Sequence, residues 1–335
     1  MNNLPTITLT STEKNSVGQA LASLPYAPDH TEAVVQEAGR RLAAAAPARL
    51  LRALNDLREN RLAGLAIANV PQDDGVDQGL LHPDVAVAPK ATRISEGLVL
   101  GAAELCGHAY GVSTEGEGVV NNLCPTREHQ EAFTGLGSNK PLGLHIEHAL
   151  PARLVPRLSP DGLALVGVHG EPGGGPLTYV ADGRRALKAV GPAREAILRD
   201  PRAYWLRLPV RWRLAGGLDG RLAAIVTGEG RDLTFAFAFY GDMTTPLTPA
   251  AAEALEAFKA GLETTAAGVR IAPGVCVLIN NRLSCHGRSS FASSFLEDGA
   301  PLRWIQRTFW TADLARFAAW DRAGPRVFTP AAQLL

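Results

Sequence analysis

The sequence predicts an α+β protein with a double-stranded β-helix (jelly-roll) core and N-terminal and inserted helices. Three features carry that prediction. Helix-forming sequence comes first, short apolar segments bounded by Gly and Pro follow, and two helical stretches interrupt those segments. Many short strands separated by turn residues suit an antiparallel sandwich or barrel, and the order does not fit a βαβ alternation.

From Thr31 to Arg61 the chain is rich in Ala, Leu, Arg and Glu, which predicts helix with a break at Pro47. Gly64–Val70 is an apolar run stopped by Pro71 and reads as a buried strand. Residues 71–92 hold Pro, Asp and Gly and form a long connection. Ser95–Gly111 returns to helix, with Ser95 as its N-cap. Strands are then expected at Gly118–Leu123, Leu142–His148, Leu163–His169, Leu177–Ala181, Tyr204–Trp212, Leu222–Thr227, Leu233–Tyr240, Val275–Asn280 and Leu302–Phe309. Helices are expected at Asp182–Leu198 and Pro249–Thr265. With no internal repeat, residues 1–335 are expected to form one domain. Its parts would be a mainly helical layer over 1–111, the core over 112–312 and a tail over 313–335.

Charge narrows the partners. The 33 basic and 33 acidic side chains cancel, so neither nucleic acid nor an anionic membrane is expected as the main partner. Hydrophobic residues at 46% with charged residues at 20% exclude a disordered chain. Met1–Asn15 lacks the basic-then-apolar order of a secretory signal, and no apolar run reaches the roughly 18–20 residues that span a bilayer. Cys106, Cys124, Cys276 and Cys285 form no CxxC pair and read as reduced, buried thiols. A cytoplasmic location is expected.

Three segments could carry chemistry. In Leu144-His-Ile-Glu-His148, strand alternation would put His145 and Glu147 on one face, where an imidazole and a carboxylate can share a divalent metal. Alone, such a triplet usually marks a solvated strand face. The second segment, Pro273 to Arg288, is an apolar strand leading to a polar turn that carries His286. Two imidazoles and one carboxylate on one side of a metal leave open positions and favour non-haem Fe(II) with O2 chemistry. The third is Arg303-Trp-Ile-Gln-Arg307, whose two arginines would share a strand face about 13 Å apart. Guanidinium is the preferred fork for a carboxylate.

Together these segments resemble the clavaminate synthase-like branch of the Fe(II)/2-oxoglutarate oxygenases, which includes amino-acid hydroxylases of specialised metabolism. The resemblance runs from about Gly64 to Phe309. It implies that His145, Glu147 and His286 hold Fe(II), and that Arg303 and Thr178 bind the cosubstrate 2-oxoglutarate. It also implies that Arg307 receives the substrate's α-carboxylate and that Glu115 meets its α-ammonium, with Glu117 the fallback two residues on. Asp242 matches an acid that contacts the substrate side chain, while Tyr240 stands where relatives with guanidinium or amine substrates carry another acid. A differently shaped or less cationic side chain is therefore implied. Because Glu147 fills the third protein position, the family pattern favours hydroxylation over halogenation, with desaturation or cyclisation as alternatives at the same iron. The implied reaction is hydroxylation of the β- or γ-carbon of a free or carrier-linked L-amino acid, consuming O2 and releasing succinate and CO2.

Other signals are weaker. Gly173-Gly-Gly175 lacks the GK[ST] of a phosphate loop. His145 and His148 would face opposite sides of a strand and so do not form a zincin site. Cys285 beside His286 diverges from it and is not expected to be a nucleophile. The Phe235/Phe237/Phe239 alternation reads as a core stripe. Two further classes fit the same ligands: a non-catalytic metal-binding jelly roll, for which Arg303 is the discriminator, and a Zn2+ hydrolase. Oligomeric state is not legible in the sequence.

Overall fold

A computed structural model describes residues 3–25, 31–76, 90–149, 159–208 and 219–330. Two elements precede the predicted ones: strand β1 (Thr6–Thr8) and helix α1 (Ser11–Ala22). A capping box starts that helix, with Thr10 Oγ1 accepting from the Glu13 amide and the Glu13 carboxylate accepting from the Thr10 amide. Helices α2 (Thr31–Ala45) and α3 (Ala48–Arg58) follow, separated as expected at Pro47. Strand β2 (Gly64–Ala68) leads towards α4 (Ile94–Cys106).

The expected helix over Ser95–Gly111 is corrected at both ends. Ser95 lies inside α4 rather than capping it, and its buried hydroxyl donates to Gln306 Oε1 at 2.5 Å. The helix stops at Cys106, where Gly107 leaves the helical conformation and lies so near Thr311 that a Cβ there would sit 2.6 Å from the Thr311 carbonyl. There the chain turns into strand β3 (His108–Val112).

The remaining strands are short. They are β4 (Asn121–Leu123), β5 (Leu142–His145), β6 (Gly162–His169), β7 (Thr178–Asp182), β8 (Tyr204–Arg207), β9 (Gly220–Ala223), β10 (Val226–Thr227) and β11 (Thr234–Phe235). After them come β12 (Thr244–Pro246), β13 (Ala267–Val269), β14 (Val275–Asn280), β15 (Ser284–Arg288), β16 (Trp304–Thr311), β17 (Asp321–Gly324) and β18 (Val327–Thr329). The expected strands at Leu222–Thr227 and Leu233–Tyr240 are thus broken or shortened. Part of the one expected at Tyr204–Trp212 lies outside the described residues. The helix expected over Asp182–Leu198 divides at Pro192 into α5 (Gly183–Val190) and α6 (Pro192–Leu198), and α7 (Pro249–Thr265) matches its prediction. After residue 312 the expected tail carries a hairpin, β17–β18, that adds to β3.

A large sheet runs β1-β2-β14-β6-β16-β3-β18-β17, with β4 also pairing β16. A second sheet runs β13-β7-β15-β5. The middle of the large sheet is covered on both faces, and its strands β2, β6 and β14 are accordingly almost continuously apolar. Ala164, Val166, Cys276 and Leu278 pack under α1–α4. On the other face Leu163, Leu165, Val277, Ile279 and Ile305 pack in one core with Val180 of the second sheet. That sheet's far side carries Ala181 and Cys285 in a core with α5 and α7, where Phe235 and Phe237 pack on Phe258. Side chains of both sheets, among them His145, His286, Leu165, Ile305 and Arg307, line one cavity.

Candidate active site

His145 and His286 are brought together by strand register. Both belong to the second sheet, β15 runs antiparallel to β5, and the two residues are direct partners with ring centroids 4.3 Å apart. His286 was expected in a polar turn; instead it is paired on both sides, to β5 and to β7. His145 Nδ1 donates to the Gly143 carbonyl at 2.9 Å, which leaves the Nε2 lone pair free for a ligand. Gly143 is needed there, since a Cβ would stand 2.0 Å from the Phe239 carbonyl.

Glu147 joins them by a different route from the one strand alternation predicts. The strand ends at His145, and Glu147 sits in the turn that follows. The side chain of Asn281, at the end of β14, holds this turn: its Oδ1 accepts from the Glu147 amide at 2.9 Å and its Nδ2 donates to the Glu147 carbonyl at 3.1 Å. Glu147 Oε2 then lies 3.7 Å from His145 Nε2 and 3.4 Å from His286 Nε2. Burial pushes the Glu147 carboxyl up, but the two imidazoles, Arg307 and His148 outweigh it and hold the group well below the usual carboxylate range. Burial, reinforced by the charge of His145, pushes the His286 imidazole down to about 4. The trio therefore brings two imidazole nitrogens and one carboxylate oxygen within 4.8 Å of one another.

The other oxygen of Glu147 faces a second group. Arg307 Nη1 lies 3.4 Å from Glu147 Oε1, and its Nη2 donates to Glu115 Oε2 at 3.1 Å and to Asn121 Oδ1 at 3.3 Å. His148 stands beside them, its Nε2 3.4 Å from Glu115 Oε1 and 3.6 Å from Glu147 Oε1. The expectation that His148 faces away from the site is therefore wrong. Its backbone turns to φ +48°, which swings the ring back beside Glu147. Glu115, Glu147 and His148 are close enough to hold a cation, and the Arg307 guanidinium supplies it. Glu117 is exposed, so Glu115 is the carboxylate beside Arg307.

Arg303 immediately precedes β16 and lines the same cavity of about 920 Å³. Burial and the charge of Arg288 push its guanidinium down to about 10. No hydrogen bond or ion pair engages it among the described residues. Arg288 donates only to the carbonyls of Gly137, Lys140 and Ser289. The two guanidinium groups lie 5.3 and 5.2 Å from the Phe291 ring, and Thr178, the β7 partner of Arg288, faces the same cavity. This end of the cavity carries two buried positive charges with no ion pair on either among the described residues, only the more distant charge of Glu171 on Arg303, an electrostatic fit for a bound anion.

At the mouth, Tyr240 meets His145 edge-on at 5.3 Å and stacks on Phe133 at 6.0 Å. Asp242 is 63% exposed and lies 3.0 Å from Arg207 Nε. Sequence reasoning missed Arg288, Asn281 and Asn121. Arg288 was findable, because it lies two residues after His286 and alternation gives both the same face. The asparagines and the left-handed His148 carried no pattern of their own.

No family model matches the chain. It is 30% identical over 313 residues to L-asparagine oxygenase of Streptomyces coelicolor, covering 91% of this chain and 88% of that protein. It is 29% identical over 218 residues to L-lysine 3-hydroxylase of Catenulispora acidiphila, covering 64% of this chain and 58% of that one. The solved structure of an asparagine oxygenase with Fe(II), 2S,3S-3-hydroxyasparagine and succinate superimposes with a TM-score of 0.79 at 25% identity, over 97% of this chain and 99% of that one.

Proposed function

Because the chain belongs to the clavaminate synthase-like Fe(II)/2-oxoglutarate oxygenases, the family of L-asparagine oxygenase, we propose that it hydroxylates a free L-amino acid at an unactivated β- or γ-carbon. The cosubstrate is 2-oxoglutarate, which leaves as succinate and CO2. One observation carries the reading: two imidazoles and a carboxylate converge on a cavity whose other walls hold an Arg307–Glu115 pair and a buried Arg303 with no hydrogen bond or ion pair among the described residues. We further read the facing sheets as a jelly roll and residues 1–335 as one oxygenase domain.

His145 Nε2, His286 Nε2 and Glu147 Oε2 would hold Fe(II); the donor set suits that ion, and the ligand side open to the cavity leaves room for cosubstrate and O2. When bound, the metal with 2-oxoglutarate and O2 supplies the oxidising power that breaks an aliphatic C–H bond. Arg303, with Thr178 beside it, would fork the distal carboxylate of the cosubstrate. Arg288 keeps that end of the cavity positive. Arg307 and Glu115 would receive the α-carboxylate and α-ammonium of the substrate, fixing its backbone so that a side-chain carbon faces the iron. An α-carboxylate partner for Arg307 favours a free amino acid over a carrier thioester, which lacks that group. Tyr240 and Phe133 would cover the side chain, with Asp242 at the rim. An aromatic wall in place of a buried acid suits an uncharged side chain.

The test is succinate release across a panel of free L-amino acids with Fe(II), O2 and 2-oxoglutarate, followed by mass spectrometry. Substrate-dependent succinate with a product heavier by one oxygen is expected. Succinate independent of every amino acid, or no need for Fe(II), would overturn the proposal.

A further inference from the structure

The geometry points to His148 as the residue that positions Glu115 for the substrate's α-ammonium, and so sets the preference for amino over deamino acids. This rests on the reading that Arg307 and Glu115 receive the amino-acid backbone. Glu115 ends a single 3-10 turn, Ser113–Glu115, too short to fix a side chain by itself. Arg307 and His148 engage its carboxylate: Oε2 accepts from Arg307 at 3.1 Å and Oε1 faces His148 Nε2 at 3.4 Å.

His148 is built for this task at a conformational cost. Its φ of +48° is unusual for a residue with a side chain, and histidine is among the few that tolerate it. The turn is locked by Ser159, whose hydroxyl donates to the His148 carbonyl at 2.5 Å. The ring is almost fully buried and meets Phe309 edge-on at 5.3 Å. The same phenyl ring carries the Arg307 guanidinium 4.4 Å from its centroid. Phe309 thus aligns both groups that grip Glu115. His148 also faces Glu147, but through Oε1, the oxygen turned away from His145 and His286. It stands on the substrate side of that carboxylate and is a positioning residue, not a metal ligand.

The experiment compares wild type with His148→Leu, which lacks the donor, and His148→Gln, which keeps one. Anaerobic protein loaded with Fe(II) and 2-oxoglutarate is titrated with the free common L-amino acid that wild type binds most tightly and with its deamino analogue, each read as a change in the visible absorption of the iron chelate. His148→Leu should bind the amino acid about tenfold more weakly while the deamino acid changes less than twofold. His148→Gln should recover most of the loss, and Fe(II) affinity should stay within twofold in both. Equal weakening for both acids would reduce His148 to a packing residue, and a large loss of Fe(II) affinity would place its action on Glu147; either result overturns the inference. If no amino acid perturbs wild type, the substrate reading falls and takes this inference with it.

Discussion

At the scale of single residues, charge without a partner is the informative quantity. Arg303 is buried and, among the described residues, has no ion pair, only the more distant charge of Glu171, whereas Arg307 is bonded to Glu115 and close to Glu147. A cation in that position implies an anion to come, and removing it has a specific consequence. Arg303→Ala should weaken 2-oxoglutarate binding by about 30- to 150-fold, the loss of roughly 2–3 kcal/mol from a charge-assisted fork. Fe(II) affinity should hardly change. Unchanged 2-oxoglutarate affinity would favour the non-catalytic metal-binding alternative. The same burial that prepares arginine silences cysteine: the Cys285 thiol is pushed up by burial, in keeping with its reading as an inert neighbour of His286.

At the scale of elements, the site depends on a joint the sequence only half disclosed. His145 stood out through its His-x-Glu spacing and His286 through the apolar strand before it and the family resemblance, and the register that pairs them is ordinary antiparallel pairing. Glu147 does lie beside the two imidazoles, but not for the reason expected. Alternation along a strand put it beside His145, yet the strand has ended there, and a left-handed turn clamped by Asn281 does the work. Nothing local marks such a turn, because its partner lies 134 residues away. Asn281→Ala should leave the Glu147 amide buried without a partner, lowering stability by about 1–3 kcal/mol in urea unfolding. It should also weaken Fe(II) binding about tenfold or more in anaerobic titration, as loss of ligand support does. Wild-type Fe(II) affinity in a folded variant would show that the clamp does not position the carboxylate.

Across the whole molecule, the helical layer and the catalytic strand are locked by a buried polar network. Lys90 Nζ lies 2.6 Å from Asp73 Oδ2 and also bonds Glu96 and Ser95, while Gln306 Nε2 donates to Glu96 Oε1 and Asn122 Oδ1. Gln306 sits on β16 between Ile305 and Arg307, so the network fixes from behind the strand that carries Arg307. Burial pushes the Asp73 carboxyl up, but Lys90, Ser95 and Thr92 outweigh it and keep it below its ordinary value. Lys90→Met would strand two acids in the interior and should cost about 3–5 kcal/mol of stability by urea unfolding; a loss below about 1 kcal/mol would contradict this role. None of this network was legible beforehand, since Lys90 and Asp73 fell in a stretch read as loop and Ser95 read as a cap. What sequence did carry was the order of most helices and strands, because hydrophobic period is local, and, through the family resemblance, the residues that converge on the cavity. The central claim is that His145, Glu147 and His286 bind one iron together. Anaerobic Fe(II) added to the protein with 2-oxoglutarate should produce the weak visible charge-transfer band of the chelate, and His286→Ala should abolish it. No band in wild type, or an undiminished band in the variant, would contradict the account.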